Sequence, residues 1–173
     1  MDKKQARAFE RFVAESGDTL LRIATLLTCD PHLAEDVYQE TLQRLAARWA
    51  RIDNPLAFSR RVLHNIVIDE SRARRRRPAE SQLVAARDNG DPSAGDRLAA
   101  IELRPALLAA LDTLTRQQRA IVVLRYFDDR SEAEVADLLG ISAGTVKSTA
   151  SRAVAQLRIQ PGLAALFTTS DTH

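Results

Sequence analysis

Hydrophobic residues recur every three or four positions along most of the chain, which is the spacing of amphipathic α-helices. The first such stretch runs over residues 9–27, and Gly17 predicts a break within it. No alternating strand pattern of useful length occurs. The pattern therefore predicts an all-α protein.

Two pairs of an N-cap residue and a proline predict where the next helices begin. Asp30-Pro31 and Asn54-Pro55 each place proline at the first helical position. The second helix is expected to end near Trp49 and to bury one apolar stripe. That stripe consists of Leu33, Ala34, Val37, Tyr38, Thr41, Leu42 and Leu45. The opposite, polar side of the helix consists of Asp36, Gln39, Glu40 and Gln43. Core packing is the preferred role of Tyr38, whereas Trp49 fits packing and base stacking about equally.

The third helix is predicted over residues 55–77, with Phe58, Val62 and Ile66 on its core side. Lys and Arg exceed Asp and Glu by five in residues 51–77, although the whole chain carries a net charge of only +2. Such a concentration is what nucleic-acid binding requires, although a solvated helix end would also show it. One helix face is expected to carry Asn65, Asp69, Arg72 and Arg76.

A second group of helices is predicted after residues 78–97, a stretch rich in proline, glycine and acidic residues that we interpret as a flexible linker. The helical pattern resumes at Leu98 and Ile101, and Pro105 should start or kink that helix. Capping boxes pair Thr115 with Gln118 and Ser131 with Glu134, so helices should begin near 116 and 132.

Residues 131–157, SEAEVADLLGISAGTVKSTASRAVAQL, have the layout of a helix-turn-helix. Gly140 supplies a left-handed turn without strain, Ser142 caps the second helix, and Ala136 is small where the helices cross. The exposed side of the second helix is expected to carry short hydrogen-bond donors and two cations, which suit phosphates and base edges. These are Thr145, Lys147, Ser148, Thr149, Ser151 and Arg152.

The composition argues against several other classes of protein. Apolar residues make up 45% and charged residues 28% of the 173, so the chain should fold. A single cysteine excludes an internal disulfide and a multi-cysteine zinc site. We find no catalytic triad, metal-ligand spacing or phosphate-binding glycine loop, and thus predict no enzyme, cofactor, metal or small-molecule substrate. Without a membrane span or signal sequence, we expect a cytoplasmic protein.

With these elements in place, the chain resembles a group 4, or extracytoplasmic-function (ECF), sigma factor of bacterial RNA polymerase, of the short actinobacterial SigE-family type. The segments that carry the resemblance are LLRIATLLTCDPHLAEDVYQETLQRLAARW, FSRRVLHNIVIDESRARRRR and LTRQQRAIVVLRYFDDRSEAEVADLLGISAGTVKSTASRAVAQLR. The resemblance implies two small helical domains. We expect σ2 at residues 1–77, the linker at 78–97, σ4 at 98–158 with the helix-turn-helix at 131–157, and a tail at 159–173.

The resemblance also implies partners and the residues that meet them. The σ2 polar face of Asp36, Gln39, Glu40 and Gln43 would dock on the clamp helices of the polymerase β′ subunit. Asn65 and Asp69 would read the −10 element, with Arg60, Arg61, Arg72, Arg74, Arg75, Arg76 and Arg77 holding phosphates. Thr145, Lys147, Ser148, Ser151 and Arg152 would contact the −35 element, while σ4 would also hold the β flap. The family further admits an anti-sigma factor as a partner.

Several alternatives stay open from the sequence. Asp69 would otherwise pair with Arg72 within the helix, and the polar face of the second helix would otherwise be merely solvated. His64 is expected at the surface or facing backbone. Thr149 stands where the family often has arginine, and Ser151 where a bulky residue is frequent, which weakens the predicted −35 contact. The tail would pack on σ4, bind a regulator or be disordered. A conventional helix-turn-helix regulator is the second functional hypothesis.

Overall fold

The computed structural model describes the backbone of residues 2–76 and 105–167, and the side chains of residues 2–69 and 105–167. Every regular element within those ranges is helical, which confirms the all-α prediction. The chain divides into two compact units, Met1–Glu102 (unit 1) and Leu103–His173 (unit 2). The predicted linker at 78–97, and the hydrophobic positions Leu98 and Ile101 after it, lie outside the described residues.

Unit 1 is a bundle of three long helices whose starts follow from local capping. The elements are α1 (Lys3–Thr28), α2 (Pro31–Arg48), a 3-10 turn (Trp49–Arg51) and α3 (Pro55–Arg76). The Asp30 carboxylate accepts hydrogen bonds from the first backbone amides of α2, and the Asn54 side chain accepts one from the Ala57 amide at 3.0 Å. Both predicted caps are therefore present, and α3 contacts both α1 and α2.

The break predicted at Gly17 is wrong, because α1 runs without interruption through that residue. Gly17 is buried, and a Cβ atom at this position would lie 2.7 Å from the hydroxyl oxygen of Tyr38 in α2. The glycine thus allows α1 and α2 to approach closely and does not mark a turn. Its role depends on a residue that is distant in sequence.

Aromatic and aliphatic packing fills the space between the three helices. Tyr38 is 2% exposed and lies in the core, as predicted. The Trp49 ring meets the Phe9 ring edge-on at a centroid distance of 5.2 Å and the Phe12 ring at 5.6 Å. Trp49 therefore has a packing role in this fold, where it joins the N-terminal part of α1 to the end of α2.

Unit 2 consists of shorter helices joined by tight turns. Its described elements are α4 (Pro105–Asp112), α5 (Arg116–Val122), a π-helical turn (Val123–Phe127), α6 (Glu132–Leu139), α7 (Ala143–Arg158) and a 3-10 turn (Ala164–Phe167). Both predicted capping boxes are formed, at Thr115 with Gln118 and at Ser131 with Glu134. They start α5 and α6 at the predicted residues.

A buried arginine holds the first two helices of unit 2 together. The Arg119 guanidinium group of α5 donates to the Leu111 carbonyl oxygen at 3.0 Å and the Leu114 carbonyl oxygen at 3.5 Å. It also pairs with the Asp112 carboxylate at 3.2 Å. Leu111 and Asp112 lie at the C-terminal end of α4, where the last carbonyl groups of a helix lack intrahelical partners, and Leu114 lies two residues beyond it. Arg119 therefore acts as a side-chain cap for α4.

Part of the segment after α7 packs on unit 2. Leu163 and Phe167 are 2% and 1% exposed. The Phe167 ring meets the rings of Tyr126 and Phe127 edge-on, at centroid distances of 5.6 and 6.1 Å. The Arg158 guanidinium group donates a hydrogen bond to the Phe167 carbonyl oxygen. Of the three alternatives for the tail, Leu163 and Phe167 therefore show packing on unit 2. Residues 168–173 lie outside the described part of the chain.

Candidate nucleic-acid interface

The polar side of α2 is presented to solvent much as the sequence predicts. Asp36, Gln39 and Gln43 are exposed, whereas Glu40 is half-buried. Glu40 pairs with Arg44 one turn later, at the exposed surface. A pair of this kind is worth only a few tenths of a kcal/mol, so Glu40 exchanges partners at little cost. The four residues form one continuous polar face opposite the buried stripe.

The outer face of α3 carries the polar residues predicted for base contacts. Asn65 and Asp69 are exposed, and Arg61 lies one turn before Asn65 on the same exposed side. The backbone stays helical to Arg76, so positions 72 and 76 fall on the same face of the helix by its periodicity. The side chains of Arg72, Arg74, Arg75 and Arg76 are outside the described set, and Arg77 lies beyond the described backbone.

Arg60 does not fit the predicted phosphate contact, because its side chain is buried in unit 1 and only 8% exposed. The physical reason is that α3 packs against both α1 and α2, which buries a wider arc of the helix than one stripe. His64, one turn later, lies in the same arc and is also 8% exposed, so of its two expected positions, at the surface or facing backbone, the surface position is wrong. Burial lowers the pKa of His64 to about 4, and the imidazole is therefore neutral near pH 7.

The helix-turn-helix forms in unit 2 with the predicted turn. Gly140 ends α6 in the left-handed conformation, with φ at 66°, and its amide donates to the Ala136 carbonyl oxygen. The Ser142 hydroxyl caps α7 by accepting from the Thr145 amide at 3.1 Å. The two helices share a core with α5 and the π-helical turn. This core contains Ile121, Leu124, Val135, Val146 and Ala150, with Ala136, Leu138, Leu139 and Ile141 packed against it.

The outward side of α7 is polar and free of acidic residues. Lys147, Ser148, Ser151 and Arg152 are exposed, whereas Thr149 is half-buried. In contrast, the Thr145 hydroxyl lies 2.8 Å from the Ser142 hydroxyl, so it already takes part in the cap. Positive side chains near the start of a helix, together with its free amide groups, favour negative ligands such as phosphates. The arrangement can therefore hold a polyanion and present short donors to base edges.

A group of charges around the start of α6 was missed in the sequence and fixes the start of the helix-turn-helix. The Asp128 carboxylate is buried and accepts from Arg130 at 3.2 Å, and Arg130 also donates to Glu134 at 3.0 Å. Hydrogen bonds from Ser131 hold the pKa of the Glu134 carboxyl below its usual value, and Arg130 adds to the effect. The run DDRSEAE contains the signal, but only the fold shows which charges meet.

Within the described residues, no helix is long and apolar enough to cross a membrane. The same residues contain no group of three or more His, Cys, Asp or Glu side chains placed to hold a metal ion.

Comparison with known proteins gives matches to both units. A family model described as "Sigma-70 region 2" matches residues 12–77, and another described as "Sigma-70, region 4" matches residues 104–157. The "RNA polymerase sigma-E factor" of Streptomyces coelicolor is 38% identical over 155 residues, covering 87% of this chain and 84% of that protein. The "ECF RNA polymerase sigma factor SigL" of Mycobacterium tuberculosis is 37% identical, covering 84% of each.

A solved structure is also similar. It is the complex of the sigma factor RpoE with the anti-sigma factor NepR from Bartonella quintana. Its match has a TM-score of 0.70 and 23% sequence identity, and covers 89% of this chain and 96% of that one. At this identity the match supports the fold alone.

Proposed function

The chain belongs to the sigma-70 family of RNA polymerase sigma factors, with extracytoplasmic-function members among its relatives, and we propose how its residues divide the work of initiation. It is a transcription initiation factor, which binds core RNA polymerase and directs it to promoters. The observation that carries the proposal is the presence of exposed polar surfaces on both units, two on unit 1 and one on unit 2. The outward sides of α2 and α3 belong to unit 1, and the exposed side of α7 belongs to unit 2.

In the proposed arrangement the polar face of α2 binds the clamp helices of the polymerase β′ subunit. Asp36, Gln39 and Gln43 are the primary contacts, because they are exposed and lie opposite the core. Glu40 joins them by exchanging Arg44 for a group on the polymerase. A face of this composition is suited to hydrogen bonds and ion pairs with a partner. Its residues are three or four positions apart, so they lie side by side on one side of the helix.

The outer face of α3 is the proposed −10 reading element. Asn65 and Asp69 have short side chains with few rotatable bonds, which suits specific hydrogen bonds to bases. Arg61 and the arginines at 72 and 74–77 are assigned to phosphates. Arg60 is withdrawn from that set because it is buried, and its position gives it a structural role within unit 1.

The exposed side of α7 is the proposed −35 reading element, approached from the major groove. Lys147 and Arg152 are the cations on this side, and Ser148 and Ser151 supply short donors. Thr145 is assigned a mainly structural part, since its hydroxyl completes the helix cap with Ser142. Unit 2 is also the proposed contact for the β flap.

The family relationship extends to regulation and location. Because the similar solved structure is a complex with an anti-sigma factor, we propose that this chain too has such a partner. We also propose that it acts in the cytoplasm, where core polymerase works, and without catalysis of its own.

The test is reconstitution with a core polymerase from an actinobacterium. The purified chain should form a stable complex with core enzyme and support specific run-off transcription from promoters selected out of a randomised library. Core enzyme alone is the control, and it should give no specific product. DNA binding by the chain without any complex with core would instead identify a conventional helix-turn-helix regulator.

A further inference from the structure

A row of positive side chains covers the exposed side of the first three turns of α1. Lys3, Lys4, Arg7 and Arg11 are all exposed. We call these four cations the α1 basic face. It is separate from the outer face of α3 and from the exposed side of α7.

The charges of the α1 basic face do not stabilise α1 itself. Lys3, Arg7 and Arg11 follow one another at intervals of four residues, and like charges at that spacing destabilise a helix. The first turn of α1 contains two lysines and no acidic residue, although the positive end of the helix dipole favours acids there. Asp2 supplies the cap from outside the helix. An arrangement that opposes local stability points to a functional surface.

Intramolecular ion pairs do not account for the four cations either. In the parts of the chain that the structure describes, the salt bridges involve Arg44, Arg119, Arg125 and Arg130, and none reaches α1. Glu10 and Glu15 are close in sequence, yet neither forms a salt bridge with Arg7 or Arg11 in the described structure. The positive charge of these four side chains therefore faces solvent and is available to a partner.

We propose that the α1 basic face binds the phosphate backbone of double-stranded promoter DNA, as a further contact beyond the two reading elements. The inference rests on the proposed function, since that function brings DNA to unit 1. Along a helix, residues four apart are separated by about 6 Å, so Lys3, Arg7 and Arg11 form a straight row about 12 Å long. A duplex presents a dense, regular array of negative charge to such a row.

The aromatic residues favour duplex over single-stranded DNA as the ligand. Surfaces that bind single strands combine cations with aromatic rings on which bases stack. The aromatic rings at this end of α1, Phe9 and Phe12, are instead packed against Trp49 inside unit 1. The α1 basic face thus offers charge without stacking surfaces.

The α1 basic face lies at the opposite end of the bundle from the arginine-rich end of α3. Trp49 places the end of α2 beside Phe9 and Phe12, and α3 begins only a few residues later at Pro55. Since α3 has 22 residues and is therefore about 33 Å long, its last turn is far from the α1 basic face. The two groups of cations should contribute to DNA binding independently.

The experiment measures how promoter affinity of the reconstituted holoenzyme changes with salt. The variant Lys3→Gln/Arg7→Gln/Arg11→Gln keeps good helix formers and removes the row of charge. For duplex DNA each lost phosphate contact lowers the slope of log K against log salt by about 0.9, so a decrease of roughly 1 to 3 is expected. The probe is a duplex promoter selected by the wild-type holoenzyme. Trp49 fluorescence verifies that unit 1 is folded.

The matched control is Arg22→Gln. Arg22 is exposed on the same side of α1, about 17 Å beyond Arg11 and outside the α1 basic face. The control should leave the slope nearly unchanged. An equal decrease in the control would reveal a general charge effect and overturn the proposal, as would an unchanged slope in the triple variant.

Two further measurements separate this proposal from others. Weaker binding of the triple variant to core polymerase, with an unaltered DNA slope, would assign the α1 basic face to the polymerase and overturn the DNA assignment. If the triple variant had a smaller salt slope than wild type with single-stranded promoter DNA but not with duplex DNA, the choice of duplex as the ligand would be overturned. In each case wild-type holoenzyme still transcribes, whereas failure of the proposed function would abolish the wild-type complex itself.

Discussion

Replacing Gly17 with alanine tests the closest contact between α1 and α2. The new Cβ atom would lie 2.7 Å from the Tyr38 hydroxyl oxygen. Because ordinary carbon–oxygen contacts are about 3.3 Å or longer, one atom would have to move by about 0.6 Å. Forcing atoms into a packed core costs about 1–3 kcal/mol, whereas exchanging glycine for alanine within a helix gains about 0.5–1 kcal/mol. We expect a net loss of about 1 kcal/mol in the free energy of unfolding.

The matched background for this test is Tyr38→Phe, which removes the clashing oxygen and keeps the ring. In that background Gly17→Ala should stabilise unit 1, by up to about 1 kcal/mol. The double-mutant cycle should therefore give a coupling energy of about 1–2 kcal/mol between the two positions. Any loss from the other contacts of the hydroxyl group cancels in the cycle.

Urea unfolding followed by Trp49 fluorescence is the assay. Trp49 is the one tryptophan of the chain and is packed within unit 1, so its signal reports the unfolding of that unit. With a typical slope of about 1–2 kcal/mol/M, Gly17→Ala should lower the urea midpoint by roughly 0.5–1 M. The reasoning is refuted if alanine changes the midpoint equally in the wild-type and Tyr38→Phe backgrounds, or raises it in both.

Three further predictions concern binding and pH. Replacing Asp36 and Gln39 with alanine should weaken core polymerase binding several-fold without shifting the urea midpoint of unit 1; unchanged affinity in a competition assay would contradict the docking face. Neutralising residues 74–77 should lower the salt slope of promoter binding by about 0.9 per lost contact, and an unaltered slope would contradict phosphate binding. Burial lowers the pKa of His64 to about 4, so between pH 4 and 6.5 the unfolded state binds more protons than the folded state. The free energy of unfolding should therefore fall as pH falls through that window, by about 1.4 kcal/mol per pH unit. His64→Gln should flatten this dependence in urea titrations at several pH values, whereas His32→Gln, at an exposed site, should not.

The features that were predictable from sequence are those decided by neighbouring residues. Asp30 caps α2, Ser131 caps α6 and Gly140 ends it because a side chain or a backbone angle meets groups only a few residues away. The polar face of α2 and the exposed side of α7 follow from helical periodicity in the same way. These local rules also located the helix-turn-helix.

Long-range packing decides what the sequence could not show. Gly17 looked like a break because its partner, Tyr38, lies 21 positions further along the chain. The burial of Arg60 and His64 could not be predicted because it depends on α3 packing against two helices at once. A single amphipathic pattern predicts the side of a helix that contacts one neighbouring helix. When the helix packs against two neighbours, a larger part of its circumference is buried than the pattern predicts.

The capping of α4 by Arg119 has a consequence for how unit 2 opens. A helix of eight residues is too short to persist in water without help, because helix nucleation is costly. The carbonyl groups at its end are held by a side chain of the following helix, so α4 and α5 cannot separate without exposing a buried guanidinium group. The two helices therefore form one cooperative unit in hydrogen exchange: the amides of α4 should become accessible together with those of α5, and α4 should not fray independently.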